Sequence, residues 1–124
     1  MKWLLILALC AGCKKQADAP PGPPGPPARD LPVIPASEVK RGQDACKAYV
    51  DKVCACAEAG SATPALKEAC SLARALPDAI QTGLEVTANP ESTRRDALQA
   101  NDSVRKIVKE CIEETAKLPA AGCP

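Results

Sequence analysis

The sequence contains no histidine and no phenylalanine, and its only aromatic residues are Trp3 and Tyr49. Without histidine the chain lacks the usual general base of catalysis and the commonest metal ligand. With so few aromatic rings it also lacks the surfaces on which unpaired bases stack. Lysine and arginine total 16 and aspartate and glutamate total 15, so the basic excess typical of nucleic-acid-binding proteins is missing. Nucleic acid is therefore not a predicted partner.

No arrangement of residues typical of catalysis is present in the sequence. No serine or threonine lies in a recognisable nucleophile motif, and without histidine the usual base that would activate one is missing. There is no glycine-rich phosphate loop, and nothing brings two carboxylates to one predicted pocket. We therefore predict a protein that is not an enzyme and that requires no cofactor.

Proline and cysteine are abundant, with 13 and 8 residues, and both are distributed unevenly. The chain opens with Met1 and Lys2, continues with an apolar run that ends at Gly12, and then has Cys13 and two lysines. One positive charge, a short apolar run and small residues before a cleavage point are typical of a secretion signal. The run from Trp3 is much shorter than the about 20 residues that a membrane-spanning helix needs.

Residues Ala11, Gly12 and Cys13 carry a more specific signal. They resemble the signal of bacterial lipoproteins, in which a Leu-like residue and two small residues precede an invariant cysteine, and Cys10 occupies the Leu-like position. The resemblance implies that the Cys13 thiol receives a diacylglyceryl group, that residues 1–12 are removed, and that the new amine is acylated. The alternative is an ordinary secretory signal that is cut elsewhere and leaves a soluble protein.

The resemblance also implies where the protein works. Two or more acyl chains anchor a protein stably, whereas one chain does so only marginally. A lipid on Cys13 would hold the protein at the cell membrane or the outer membrane, with its domain facing the periplasm or the exterior. The membrane is thus the first predicted partner, and an envelope protein of unknown identity is the second.

Residues 13–36 form the predicted tether between the lipid and a folded domain. Proline dominates the tether from Pro20 to Pro35, and proline fixes φ and pushes the preceding residue toward an extended backbone. At about 3.1 Å per residue, a polyproline stretch of this length spans on the order of 50 Å. We predict a disordered or polyproline spacer, and the alternative is a ligand for a proline-recognising groove.

Residues 37–124 form the predicted domain. Their apolar residues recur at the spacings of three and four that are typical of amphipathic helices. No run alternates with a period of two, which argues against a sheet. Because the predicted connections are short, neighbouring helices should be antiparallel. We therefore predict an all-α, disulfide-stapled three-helix bundle with up-down-up topology.

The boundaries of the first two predicted helices rest on capping residues and prolines. Helix 1 extends from Ser37, its expected cap, to Ala59. Helix 2 begins at Thr63–Pro64, a cap followed by proline at the first helical position. Pro77 should either kink helix 2 or split it at Leu76.

The third predicted helix begins near Asn89–Pro90. Thr93 and Asp96 have the spacing of a capping box. The helix extends to about Leu118, and residues 101–103 are a point at which it could break into two shorter helices.

Six cysteines remain for the domain once Cys10 leaves with the signal and Cys13 is lipidated: Cys46, Cys54, Cys56, Cys70, Cys111 and Cys123. An even number is what a disulfide framework in an exported protein requires. The domain has few large aliphatic side chains and one aromatic ring, so its core is thin, whereas each disulfide adds about 2–4 kcal/mol. We expect the bridges to decide whether the domain folds.

Helical geometry restricts which cysteines can pair. Cys54 and Cys56 point about 160° apart on a helix and cannot bond each other. Cys54 and Cys70 lie at one level if the first hairpin turns near residue 62, and a parallel third helix brings Cys111 near the level of Cys56. Among fifteen pairings, we predict Cys54–Cys70, Cys56–Cys111 and Cys46–Cys123.

We interpret the chain as a small lipid-anchored protein of the cell envelope with a non-catalytic binding or structural role. The alternative is a thiol-based metal-binding or redox protein of the periplasm, because Cys54 and Cys56 with other thiols could hold Cu(I) or Zn(II). Oxidation of exported thiols favours the structural bridges, and no metal site is predicted.

Overall fold

The computed structural model of the protein describes residues 31–124, and within them it contains α-helices joined by short connections. The helices are α1 (Ala36–Glu58), α2 (Pro64–Ala73), α3 (Leu76–Ala88) and α4 (Arg94–Lys117), followed by a 3₁₀ turn at Pro119–Ala121. No strand occurs in this part of the chain. The predicted signal, the lipidation residue Cys13 and the tether up to residue 30 lie outside the described residues.

Two of the predicted helix caps are confirmed and one is not. The Thr63 hydroxyl accepts a hydrogen bond from the Leu66 amide at 3.3 Å, with Pro64 at the start of α2. Thr93 and Asp96 form a capping box at the start of α4. The prediction that Ser37 caps α1 is wrong, because α1 begins one residue earlier and its N-cap, Pro35, makes no side-chain cap.

The second predicted helix is split into α2 and α3, one of the two outcomes expected from Pro77. Arg74 and Ala75 form the break, and Pro77 lies in the first turn of α3. Proline has no amide hydrogen to donate to the preceding turn, so a helix cannot continue through it without losing a hydrogen bond. The alternative of a break at residues 101–103 does not occur, and α4 is continuous there.

The bundle has the predicted up-down-up topology. α1 packs against α2 and α4, and α3 packs mainly against α4. The side chain of Arg105 in α4 reaches Glu38 in α1, and Val108 lies opposite Gly42. Residue numbers therefore increase in the same direction along α1 and α4, which means that the two helices are parallel. α2 and α3 together form the antiparallel arm between them.

The core is built from a few aliphatic side chains and from sulfur. Val53 and Ile80 are the largest side chains that are fully buried, together with Cys46, Cys111 and Cys123. Tyr49 is the one aromatic residue of the core. The abundance of buried cysteine beside so few large side chains agrees with the expectation of a thin core that is held by bridges.

The segment from Leu31 to Pro35, before α1, also packs against the helices. Leu31 and Ile34 are buried, with 6% and 7% of their surface exposed. The Asn101 side-chain amide donates a hydrogen bond of 2.7 Å to the Pro32 carbonyl. A backbone fixed by proline loses little entropy when it docks. Residues 31–35, hereafter the docked segment, can therefore pack along α4 without forming a helix.

Candidate functional site

All six cysteines of the described domain are joined in disulfides. The bridges are Cys46–Cys111, Cys54–Cys70 and Cys56–Cys123. The first joins α1 to α4, the second joins α1 to α2, and the third joins α1 to the segment that follows the 3₁₀ turn. One cysteine of every bridge therefore lies on α1. The bridges link α1 to α2, to α4 and to the C-terminal segment, but not to α3.

The predicted pair Cys54–Cys70 is present, but the predicted pairs Cys56–Cys111 and Cys46–Cys123 are wrong. The contacts of Arg105 with Glu38 and of Val108 with Gly42 set the register between the parallel helices. In that register Cys111 lies level with Cys46. Cys56 is ten residues, or about 15 Å, further along α1.

The chain reverses direction after α4, and this reversal brings Cys123 to Cys56. α4 ends at Lys117, and Gly122 adopts a left-handed conformation with φ of 86° directly after the 3₁₀ turn. Few residues other than glycine adopt this conformation without strain. The reversal places Cys123 beside α1, where its sulfur lies 3.7 Å from the Lys52 carbonyl.

The bridges differ in their contact with solvent. Cys46 and Cys111 are buried, and so are Cys54 and Cys70, whereas Cys56 is partly exposed. Within the described residues no cluster of histidine, cysteine, aspartate and glutamate side chains has the arrangement that holds a metal ion. Since each of the six sulfurs is bonded to another sulfur, the chemistry of this set is structural in the oxidised protein.

A groove of about 340 Å³ with a predominantly apolar lining lies between α4, the start of α1 and the segment before α1. Its floor is formed by aliphatic side chains from the docked segment, α1 and α4: Ile34, Val39, Val104, Val108 and Ile112. A volume near 300 Å³ is at the lower end of the range for ligand sites. The groove exists because the segment before α1 packs along α4.

Charged side chains surround the groove, and ion pairs neutralise them. The Arg105 guanidinium donates to the Glu38 carboxylate at 2.7 Å, and this hydrogen bond holds the pKa of Glu38 below its usual value. Lys109, one turn further along α4, lies 3.6 Å from Glu113. The groove therefore has an apolar floor and a rim without net charge, which suits an aliphatic occupant better than a charged one.

Three large apolar side chains of α4 and of the segment before α1 are exposed, and of these Ile112 lines the groove. Ile112 is 56% exposed, Leu98 is 49% exposed and Val33 is 68% exposed. The exposed residues Val33, Leu98 and Ile112 lie outside the apolar rows that define the core, so those rows do not predict them. The seven-residue spacing of Leu98, Arg105 and Ile112 is the signal that could have indicated two of them.

A second surface feature surrounds Tyr49, whose ring lies between α2 and α4. Burial raises the pKa of the phenol, and the nearby carboxylates Glu114 and Glu110 raise it further. The hydroxyl therefore stays protonated at neutral pH. Shallow depressions on either side of the ring are lined by α2 and the end of α4.

The helices of residues 31–124 include none with the length and apolar character needed to cross a bilayer. Comparison with known proteins gave no match to a family model, to a curated protein or to a solved structure.

Proposed function

We propose that this chain is a lipid-anchored protein of a bacterial cell envelope, in which a small helical domain performs a non-catalytic binding or structural role. The lipid is carried by Cys13, and the domain faces the periplasm or the exterior. The observation that carries this proposal is the pairing of the six domain cysteines in three disulfides. Such bridges form and persist in exported proteins.

The pairing also bears on the role of Cys13. With all six domain sulfurs bonded to one another, Cys13 is the cysteine that stays available after removal of residues 1–12. Its position after Ala11 and Gly12 is the one that lipoprotein signals modify. A free thiol at the start of an exported chain could form a disulfide with another thiol, whereas a thioether cannot.

The fold supports a domain held at one end. The docked segment enters α1 beside Asn101, near the end of the bundle where α4 begins. Leu31, the first described residue, therefore lies toward this end, and the connection between α1 and α2 lies at the opposite end. A tether attached in this way would present the Ala59–Thr63 connection and the Pro119–Ala121 turn away from the anchor.

The alternative, a thiol-based metal-binding role, needs reduced thiolates. The same six sulfurs are paired in the oxidised domain, so metal binding would first require reduction of the bridges that hold the helices together. We therefore favour the structural role of the cysteines.

Acyl labelling of the full chain in an exporting bacterial host tests the anchor. Cells fed with an alkyne-tagged palmitate should incorporate the label into the wild-type protein, and the labelled protein should be found in the membrane fraction. Cys13→Ser should abolish both the label and the membrane association, because serine provides no thiol for the thioether bond.

Cys10→Ser is the matched control. It replaces a cysteine three residues away inside the same signal, and the proposal expects labelling to be retained. Label that persists in Cys13→Ser, or that is lost only in Cys10→Ser, would overturn the assignment of the anchor to Cys13.

A further inference from the structure

One of the three bridges differs from the other two in its access to solvent. Both cysteines of Cys46–Cys111 are buried, and so are both cysteines of Cys54–Cys70. In the third bridge Cys123 is also buried, but Cys56 is partly exposed. Among the six cysteines of residues 31–124, Cys56 is therefore the one that a thiol in solution can approach while the domain stays folded.

The C-terminal tail, residues 118–124, depends on this bridge for its position. Leu118 and Cys123 are its buried residues, and the others are exposed. The backbone hydrogen bonds donated by residues 121–123 are accepted within the tail itself. Toward α1, Cys123 contributes the disulfide and a sulfur contact of 3.7 Å with the Lys52 carbonyl. Opening the bridge therefore frees the tail beyond Leu118.

The contacts between helices do not depend on this bridge. Cys54–Cys70 joins α1 to α2, and Cys46–Cys111 joins α1 to α4. Cys56 lies in the last turn of α1, and Cys123 lies beyond the end of α4, so their bond links no two helices. With this bridge open, the helices are still held by two buried disulfides.

We propose that Cys56–Cys123 is a thiol–disulfide exchange site and that its partner is a protein with a reactive dithiol. A thiolate of the partner attacks Sγ of Cys56, the bond to Cys123 breaks, and Cys123 leaves as a thiolate that takes a proton from water. The partner's second thiolate then attacks the mixed disulfide and releases Cys56, which is protonated in turn. Two electrons pass from the dithiol, which becomes a disulfide, to the bridge, which becomes two thiols.

Access selects both the bridge and the sulfur that is attacked. Exposed disulfides are the labile ones, whereas buried structural disulfides resist reduction. The stabilisation that a bridge gives by restricting the unfolded chain does not protect it from attack in the folded state. Once released, Cys56 points about 160° away from Cys54 on α1, so it does not exchange with the Cys54–Cys70 bridge. Cys123 is the thiol that reforms the original bond.

Capture of a mixed disulfide tests which sulfur is attacked. The full chain is produced in an exporting host and purified in detergent with its three bridges intact. The probe is thioredoxin in which the second active-site cysteine is replaced by serine, because it attacks a disulfide but cannot resolve the product. We expect a covalent complex with one probe per chain, in which peptide mass spectrometry finds the probe sulfur on Cys56.

Limited reduction of the same protein gives a second measurement. Samples in dithiothreitol at neutral pH, without denaturant, are quenched with iodoacetamide at increasing times. The first product should carry new labels on Cys56 and Cys123 alone and should form at least about tenfold faster than products of the buried bridges. It should keep the helical circular dichroism of the oxidised protein, because the helices remain joined.

Two pairs of Cys→Ala substitutions are the matched controls. Cys56→Ala with Cys123→Ala should give no complex with the probe and should lose the fast reduction. Cys54→Ala with Cys70→Ala keeps the exposed bridge and should still give the complex. If circular dichroism shows that either variant has not folded, the labelling of the wild-type protein decides the question by itself.

Several results would overturn the proposal. These are absence of the complex with the wild-type chain, a probe bound to Cys123 or to a cysteine of another bridge, reduction of all three bridges in one step, and loss of helical circular dichroism in the first product. None of these measurements depends on the lipid on Cys13, so the exchange site and the anchor fail independently.

Discussion

Gly42 allows α1 and α4 to approach each other closely enough for the Cys46–Cys111 bridge. A Cβ atom at this position would lie 2.5 Å from Cγ2 of Val108. Both valine methyl groups are attached to a stiff β-branched side chain, so the contact cannot be relieved by bending a flexible end. The glycine thus fixes the distance between two parallel helices one turn before the bridge.

Gly42→Ala should therefore destabilise the domain. Overpacking lowers the free energy of unfolding by about 1–3 kcal/mol. The higher helix propensity of alanine than of glycine raises it by about 1 kcal/mol. We expect a net loss of about 1 kcal/mol in the free energy of unfolding, measured by urea denaturation of the oxidised protein.

Gly60→Ala is the control for this measurement. Nothing lies within 4 Å of a Cβ built at Gly60, and its φ is not positive. Alanine there should leave stability unchanged or raise it slightly. Equal gains from both variants would contradict the close approach of α1 to α4.

The start of α4 depends on one carboxylate. Asp96 accepts hydrogen bonds from the Thr93 amide at 2.9 Å and from the Thr93 hydroxyl at 2.7 Å, while the Asp96 amide donates to that hydroxyl. These bonds from Thr93 hold the pKa of Asp96 below its usual value. A group with a lowered pKa stabilises the fold in its ionised form.

This capping box makes the stability of α4 sensitive to acid. The contribution should be complete above about pH 5, since unfolded aspartate titrates near pH 3.9, and it should be lost as the pH falls through the lowered pKa in the folded state. We expect Asp96→Asn to lower the urea midpoint at pH 6, and the difference from wild type to shrink steadily toward pH 2.

Asp78→Asn is the comparison for the acid titration. Asp78 also lies in the first turn of a helix, but α3 has no side-chain cap. A variant there should change the midpoint less than Asp96→Asn does. If the two variants behaved alike, the helix dipole rather than the capping box would account for the effect.

The three bridges hold together a bundle with a thin core, and their contributions should differ. The Cys54–Cys70 bridge closes a separation of 16 residues, whereas Cys46–Cys111 and Cys56–Cys123 close separations of 65 and 67. In the chain-entropy model these loops correspond to about 3 kcal/mol for the short one and about 4 kcal/mol for each long one.

Paired Cys→Ala variants test this order by urea denaturation. Removal of Cys54–Cys70 should cost less than removal of either long-range bridge. Reduction of all three should abolish the helical circular dichroism at neutral pH. A reduced protein with unchanged circular dichroism and melting would contradict the role assigned to the bridges.

Features that depend on neighbouring residues could be predicted from the sequence. The capping box of Thr93 and Asp96, the split before Pro77 and the helical class all follow from spacings within one or two turns. The apolar groove between α4, α1 and the docked segment could not be predicted in the same way. It needs Ile34 and Ile112 to lie close together, although many residues separate them in the chain.

The sequence thus determined the helices, their order and the even set of cysteines, because hydrophobic periodicity, proline and capping act over a few residues. Only the packing of the helices decided the register of α4, and with it the pairing of Cys46 with Cys111 rather than with Cys123. That register depends on the contact of Gly42 with Val108, which no local pattern specifies. The same packing buried Leu31 and Ile34 and so created the groove.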